Sequence, residues 1–374
     1  MYAMSTKVSA TTPKTAILML NMGGPKSLLE VEPFLRRLFL DRDIINLPIQ
    51  NILGPLIARR RAPAIIEKYR EIGGGSPIRT WTDMQGRAMA AKLDQLSPQT
   101  GPHKHYIGFR YVEPLLEDTI EQIERDNVSN VIAFSQYAQY CCNTSGSSIN
   151  AIAKYFQNKQ RSPSFHLSFI DRWSTNSGLI STFTQLIEAE VRKFPPERQQ
   201  SVLLLFTAHS LPLRSVNVGD TYTMEVSATV MEVMKSLSFR YPFRLVWQSK
   251  VGPLPWQGPQ TSDAIKGFVT KGFKNIVLIP ISFVNEHIET LHELDIEYCD
   301  ELVAKHKLSI ENIRRCPAPN DHPEFINGLV NLILEHMKSG IDVSPQLLTQ
   351  CPLCEKQVCA DTRKWLTTLN QNRL

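Results

Sequence analysis

The chain has 374 residues, 42% of them hydrophobic and 21% charged. That excludes a disordered, fibrous or low-complexity polypeptide and leaves room for two to three domains of about 150 residues each. Lys plus Arg number 41 against 36 Asp plus Glu, an excess of +5, too small for a nucleic-acid binder with its clustered basic stripe, though compatible with a local basic patch facing an anion or a membrane surface.

Residues 1–13 are expected to be disordered. The first fifteen are rich in Ser and Thr, carry Lys7 and Lys14 and lack acids, the pattern of a transit-peptide stub without the arginines and length of a full one. Residues 16–22 then form a short, continuously apolar run that ends in Asn21-Met22-Gly23-Gly24-Pro25. The same design returns at 130–136, 201–207 and 275–281, and more weakly at 105–112, 165–169 and 244–248. Continuous rather than alternating hydrophobicity is what a parallel strand buried on both faces requires. Amphipathic helical stretches lie between the runs, at 114–125, 147–157, 179–193, 226–236 and 323–338; the first opens with Pro114, which suits a first helical position. Strands alternating with helices give an α/β chain. The strands divide near residue 175, which predicts two Rossmann-like doubly wound domains with parallel sheets, 14–175 and 176–340, with ligands at the carboxyl ends of the strands. No run approaches the ~18 apolar residues of a spanning helix.

Between the first two strands, residues 34–63 mix large apolar side chains with Arg36, Arg37 and the run Arg59-Arg60-Arg61. Two readings stand: a buried helical hairpin, or an apolar lip pressed into one leaflet with arginines at the headgroups or on an anionic ligand. Tyr69 then precedes Gly73-Gly74-Gly75-Ser76-Pro77, either a plain turn or a loop offering backbone N–H groups and a hydroxyl to a carboxylate.

The strand ends carry the chemistry. Beyond the first come 136–143, then Ala208-His209-Ser210-Leu211-Pro212, then the segment 283–297. In the last, Glu286, Glu289, Glu293 and Glu297 fall along one stripe at helical spacing, with Ile288, Leu291 and Leu294 or Tyr298 on the apolar face. Such a row is commonly a solvated face. Its start at the end of a buried strand, with His287 beside the carboxylates, points instead to a conduit for protons or a hard divalent metal. Familiar alternatives are absent: no G-x-G-x-x-G follows the first strand, Phe273 stands where a P-loop after Gly267 and Gly272 needs Lys, and neither H-E-x-x-H nor G-x-S-x-G occurs.

Seven cysteines in so long a chain do not suit a secreted disulfide framework. Cys351, Cys354 and Cys359 are spaced C-x2-C-x4-C in a tail after Gly340 that reads as an extension held by something other than a core. Cys142 or Cys141 is available as a fourth ligand. Structural zinc and an iron–sulfur cluster both satisfy this count.

Five motifs in fixed order, Asn21-Met-Gly-Gly-Pro25, Ile107-Gly-Phe-Arg-Tyr-Val112, Ala208-His-Ser-Leu-Pro212, Val246-Trp-Gln-Ser-Lys-Val-Gly-Pro253 and His287-Ile-Glu-Thr-Leu291, closely resemble those of the ferrochelatase family over about residues 14 to 362. The tail is similar to that of the eukaryotic, cluster-bearing branch. The resemblance implies a chelatase fold, insertion of Fe²⁺ into protoporphyrin IX with release of two protons, and a 2Fe–2S centre on Cys142, Cys351, Cys354 and Cys359 in the extension 341–374. It further implies a homodimer, monotopic on the matrix face of the mitochondrial inner membrane, with no nucleic-acid partner. By the same likeness His209 accepts the pyrrole protons, Glu289 works opposite or beside it, with both as candidate ligands to the substrate Fe²⁺, and His287, Glu293 and Glu297 form a relay. Met22, Arg61, Tyr69, Ser76, Arg110, Tyr111, Trp256 and Phe283 line the porphyrin site, Arg61 with Tyr69 and Ser76 at the propionates. A chelatase for another divalent metal and a non-catalytic porphyrin carrier are the alternative functions. The chain departs from close relatives in Asn176 and Asn331, which stand where some carry a catalytic His and Asp and cannot themselves do acid–base work; Glu286 stands for Asp and His292 for an aromatic.

Overall fold

The computed structural model describes residues 12–308 and 310–369. The predictions for the leader therefore lie outside the described residues, except at Thr12 and Pro13. Eight strands form two four-stranded sheets. The first is built from β1 (Thr15–Asn21), β2 (His103–Phe109), β3 (Asn130–Ser135) and β4 (His166–Ile170), in the order β2-β1-β3-β4. The second repeats that order, β6-β5-β7-β8, with β5 (Leu203–His209), β6 (Phe243–Gln248), β7 (Asn275–Pro280) and β8 (Asn312–Arg315). Every pairing is parallel. β1 and β7 are buried along their whole length, as their unbroken apolar runs require. Each predicted strand is present within about three residues. The widest shift is at β2, expected over 105–112 and found over His103–Phe109; β5 is shifted by two, because Ser201 closes a 3-10 turn and the strand runs on to His209.

Helices link the strands. The first half contains α1 (Val31–Leu40), α2 (Gln50–Glu71), α3 (Ile78–Leu96), α4 (Leu116–Arg125) and α5 (Ser147–Asn158). The second contains α6 (Ser177–Val191), α7 (Leu213–Asn217), α8 (Tyr222–Ser236), α9 (Thr261–Thr270), a π-helix over Glu289–Glu301, α10 (Leu302–Lys305) and α11 (Pro323–Ser339). The largest apolar cluster draws Met19 and Phe134 from one sheet together with Phe206 and Val277 from the other, so the two sheets share a core.

The tail corrects one expectation. It carries α12 (Pro345–Leu348) and α13 (Gln357–Thr368), and Leu347 and Leu366 are buried in the apolar cluster of the first sheet while Trp365 stacks on Phe156. The tail is held by a core as well as by its cysteines.

The first reading of 34–63, a helical hairpin, is present. Val31, Leu35, Phe39, Ala58, Ala62 and Tyr69 bury a common seam between α1 and α2. The outer face keeps Leu29, Leu40, Ile49, Ile52 and Leu56 exposed beside exposed Arg36, Arg42, Arg59 and Arg60. Ile49, at the head of α2, is 69% exposed and sits in the left-handed backbone region at φ 47°.

Candidate active site

In a sheet of order 2-1-3-4 the connections reverse direction between the first and third strands, and side chains beyond those two strand ends face an open crevice. The two sheets supply four such ends. Beyond β1 and β3, the Met22 N–H donates to Tyr137 Oη at 3.1 Å. Beyond β5 and β7, the His209 N–H donates to Ser282 Oγ at 3.4 Å. Gly23 lets the chain leave β1 beneath its neighbours: its φ is 78°, and a Cβ there would lie 2.5 Å from Val112. A Cβ on Gly24 would meet the Ser76 hydroxyl at 2.7 Å, and one on Gly75 the Lys26 carbonyl at 2.3 Å. The Gly-Gly-Pro and Gly-Gly-Gly-Ser segments are thus packed against each other, fixed further by the Ser76 N–H to Pro25 O bond of 2.7 Å.

Three titratable groups meet at the second pair of strand ends. His209 Nε2 lies 3.9 Å from Glu289 Oε1, and His287 Nε2 lies 3.8 Å from Glu289 Oε2. Both ring tautomers follow from the carbonyls they face, since a carbonyl only accepts. His209 Nδ1 is 2.6 Å from Ser210 O, and His287 Nδ1 is 2.9 Å from Asn285 O. Each Nδ1 therefore carries a proton, and each Nε2 is left to accept one beside the carboxylate. His209 and Glu289 side chains are 35% and 28% exposed, so the crevice admits a ligand.

The charges are tuned by one another. Burial alone raises a carboxyl pKa, yet the cationic forms of His209 and His287 outweigh it and hold Glu289 below the usual value. Burial opposes charging of His287, but the Glu289 carboxylate at 3.8 Å, with Asn285 O and Glu286 adding to it, prevails and raises it. Burial and the charge of Glu289 both push the Tyr69 phenol up. Tyr137 and Tyr222 are likewise raised, by burial first, and also feel Glu289. Glu289 is therefore ringed by side chains from both halves. Tyr137 and Tyr222 had no assigned role in the sequence; an aromatic directly after a buried strand is the one signal that pointed to Tyr137.

Aromatic rings flank the imidazoles. Trp256 lies 6.2 Å from the His209 ring and Phe283 4.8 Å from the His287 ring. Trp256 Nε1 is buried with no hydrogen-bond partner among the described residues. Arg61 lies over Phe39 at 5.7 Å in the α1–α2 seam. The Arg110 and Tyr111 backbone flanks the crevice at the end of β1, Tyr111 N–H donating to Met22 O at 3.2 Å, while Arg110 Nη2 and Tyr111 Oη both donate to Asp41 Oδ2 at 2.7 Å. Burial works against the Asp41 charge, but Arg110 and Tyr111 bring its pKa down.

The predicted row of four carboxylates is not an open file. Glu286 is buried and receives Arg315 at 2.7 Å, the Ala318 N–H at 2.9 Å and the Thr290 hydroxyl. Glu293 accepts the Ser249 N–H and Tyr298 Oη at 2.7 Å each, Gln248 Nε2 at 3.1 Å and the Ser249 hydroxyl. Glu297 is paired with Lys68 and with His292 Nδ1 at 3.2 Å. Only Glu289 of the four faces two imidazoles. The π-helical winding differs from the α-helix that the spacing predicted, and π turns favour functional sites.

Asn176 and Asn331 fall outside this cluster. Asn176 caps α6, accepting the Leu179 N–H at 3.1 Å and donating to Gly328 O at 3.3 Å. Asn331 is exposed on α11.

The tail cysteines lie within electrostatic reach of Cys142 and of one another. The Cys351 thiol is pushed up to about 11 by burial, then by the charges of Asp220, Cys142 and Cys354. Cys359 is raised by burial and by Cys354, with Arg363 opposing. Cys142 receives support from Asp220, which accepts its N–H at 2.8 Å, and the ligand atoms of Cys141, Cys142 and Asp220 lie within 4.8 Å of one another. The tail loop is seated by Leu353 N–H on Val218 O at 3.2 Å and by Pro352 against Gly219.

Comparison with known proteins gives a consistent answer. The ferrochelatase family model matches residues 14–337. The chain is 53% identical to the mitochondrial ferrochelatase of Drosophila melanogaster over 98% of its own length and 94% of that protein. It is 54% identical to that of Homo sapiens over 95% and 84% respectively. Among solved structures, SirB from Bacillus subtilis with Fe3+ superposes with a TM-score of 0.48 at 12% identity, over 69% of this chain and 92% of that one.

Proposed function

The chain belongs to the ferrochelatase family and is a metal chelatase acting on protoporphyrin in haem biosynthesis; from that premise we propose that His209 and His287, arranged on Glu289, remove the pyrrole protons as Fe²⁺ enters protoporphyrin IX. The observation that supports this reading is the pair of Nε2 lone pairs held 3.9 and 3.8 Å from one carboxylate. Two protons leave the macrocycle, and two imidazole Nε2 atoms stand beside one carboxylate to receive them. Glu289 stabilises each imidazolium as it forms and orients the rings. Glu289 stands beside His209 on one face of the ligand, because 3.9 Å leaves no thickness for a macrocycle between them. Trp256, Phe283 and Met22 supply apolar surface for the ring. Binding energy collected there, with Arg61, Tyr69 and Ser76 at the propionates, can favour a puckered porphyrin whose nitrogen lone pairs meet the metal. Glu293 and Glu297, held by fixed partners, position the π-helix.

An anaerobic assay with protoporphyrin and a choice of divalent metals tests the reading by the Soret and Q bands. Multiple-turnover haem formation from Fe²⁺ is expected. Turnover with Co²⁺ or Zn²⁺ alone, or stoichiometric porphyrin binding without metal uptake, overturns it in favour of another chelatase or a carrier.

The thiols of Cys142, Cys351, Cys354 and Cys359 would hold a 2Fe–2S centre, and a bound cluster supplies the positive charge that lets four thiolates share one site. The donor set supports this: the Cys351 thiol feels Cys142 and Cys354, and the Cys359 thiol feels Cys354. A coloured protein whose visible absorbance is lost in Cys142→Ser is the expected result; a colourless, zinc-loaded protein rejects it. The exposed apolar lip with its arginines supports peripheral association with the mitochondrial inner membrane, and no helix among the described residues is long and apolar enough to cross one. A homodimer is tested by sedimentation.

A further inference from the structure

A continuous run of hydrogen bonds joins the cysteine tail to the wall of the crevice. Lys356 lies between Cys354 and Cys359, and its ammonium donates to the Asp43 carbonyl at 3.0 Å. Asn150, buried on α5, donates to Asp43 Oδ2 at 3.4 Å and opposes the rise of the Cys359 thiol. Lys154 reaches the same oxygen at 3.4 Å, and the Asp43 side chain is only 5% exposed. The Asp43 N–H in turn donates to Asp41 Oδ1 at 2.8 Å. Asp41 Oδ2 receives Arg110 and Tyr111 at 2.7 Å each. At its far end the segment is closed by Gln50 Nε2, which donates to Phe39 O at 3.0 Å and Ile45 O at 2.9 Å.

Physically, this turn cannot drift freely. A buried carboxylate that loses its partners costs several kcal/mol, so Asp43 stays where Asn150, Lys154 and Lys356 are. Of those three groups Lys356 is carried on the cysteine loop itself, while Asn150 and Lys154 stand on α5. The turn also leads directly into the outer face of the lip, between α1 and α2. We propose that the Asp41–Asp43 turn couples the thiol centre to the porphyrin-binding wall, with Lys356 and Asn150 as positioning residues. A filled centre fixes the tail loop; the loop fixes the turn; the turn orients Arg110 and Tyr111. The inference rests on the iron–sulfur reading above. Coupling between two ligands is reciprocal, so porphyrin must also protect the centre.

The first measurement is the visible spectrum and iron content of the purified protein; a colourless, iron-free protein ends the cluster reading itself, and this inference with it. On coloured protein, protoporphyrin affinity is measured by fluorescence quenching before and after anaerobic removal of iron by a chelator, with far-UV circular dichroism confirming the fold. The expected result is about tenfold weaker binding after removal, and slower bleaching by chelator when protoporphyrin is bound. Lys356→Met and Asp43→Asn should keep the colour, bind porphyrin about equally in both states and lose the protection. Unchanged affinity on emptying the parent, or full coupling in both variants, overturns the inference. If emptying unfolds the parent, the coloured forms decide: Lys356→Met should bind porphyrin about tenfold more weakly than the parent, and equal affinity overturns it.

Discussion

His209 and Glu289 stand 3.9 Å apart at the ends of two different elements, the first at the tip of β5 and the second at the first turn of the π-helix. Neither can move without its own backbone, and His287 closes the cluster from the other side. Removing the charge from the middle leaves two imidazoles with nothing to stabilise their protonated forms. Glu289→Gln should therefore lower turnover by about a hundredfold or more while leaving protoporphyrin affinity within about twofold. Retained turnover in the anaerobic assay would take Glu289 out of the mechanism.

The same cluster sets the pH profile. Glu289 ionises below its usual range, so its charge persists in acid and is lost only as pH falls through that depressed value. His287 is raised, so its protonated form and the stabilisation it brings persist below its usual range and fade as pH climbs through the elevated value. The imidazoles accept protons only when neutral, so the acid limb of kcat/KM reports their protonation, His287 being the raised one. In His287→Ala the surviving activity should therefore show an acid limb moved to lower pH, read from profiles of the two proteins at saturating Fe²⁺. An unmoved acid limb would show that His287 is not among the bases.

Asn176 and Asn331 are predicted to be silent in catalysis. Asn331→Asp changes an exposed position of α11 and should leave turnover within about twofold. Asn176→Ala removes the cap of α6 and should destabilise by about 1 kcal/mol, seen in denaturant unfolding, with kcat unchanged. A large gain in turnover from Asn331→Asp would show that this surface reaches the reaction.

The lip offers a separate test. Ile52 and Leu56 are each 59% exposed one turn apart on α2, and Ile52→Glu with Leu56→Glu should sharply reduce sedimentation with anionic vesicles while haem formation from detergent-solubilised porphyrin persists. Undiminished vesicle binding would place the membrane contact elsewhere.

Much of this architecture was readable from the residues because both sheets announce themselves. β1, β3, β5 and β7 are buried on both faces, and unbroken apolar runs are hard to mistake. What escaped notice lacked such a stripe. α3 buries Thr82, Gln85 and Gly86, and Gly86 is needed where a Cβ would come 2.3 Å from His105, so its inward face reads as polar. β8 is a four-residue edge of Asn-Ile-Arg-Arg with no fully buried residue. His209 and Glu289 stood out as polar residues next to strand ends. The partners that immobilise Glu293 and Glu297 did not, since Ser249 and Lys68 reach them from distant parts of the chain. The proximity of Asp41 to Arg110 was equally invisible, being a tertiary contact across 69 positions.

Ile49 has an uncomfortable existence in water. A β-branched residue in the left-handed region costs about 1–2 kcal/mol, and most of its side chain also meets solvent. A Gly at this position would relieve the backbone, and the aqueous protein would gain by it. An oily surrounding recovers only the second expense, so the twist is worthwhile where the tip is regularly immersed. Selection for solubility in a test tube should therefore erode this position early; if the lip is the membrane contact proposed above, the sturdier molecules would hold a bilayer less well.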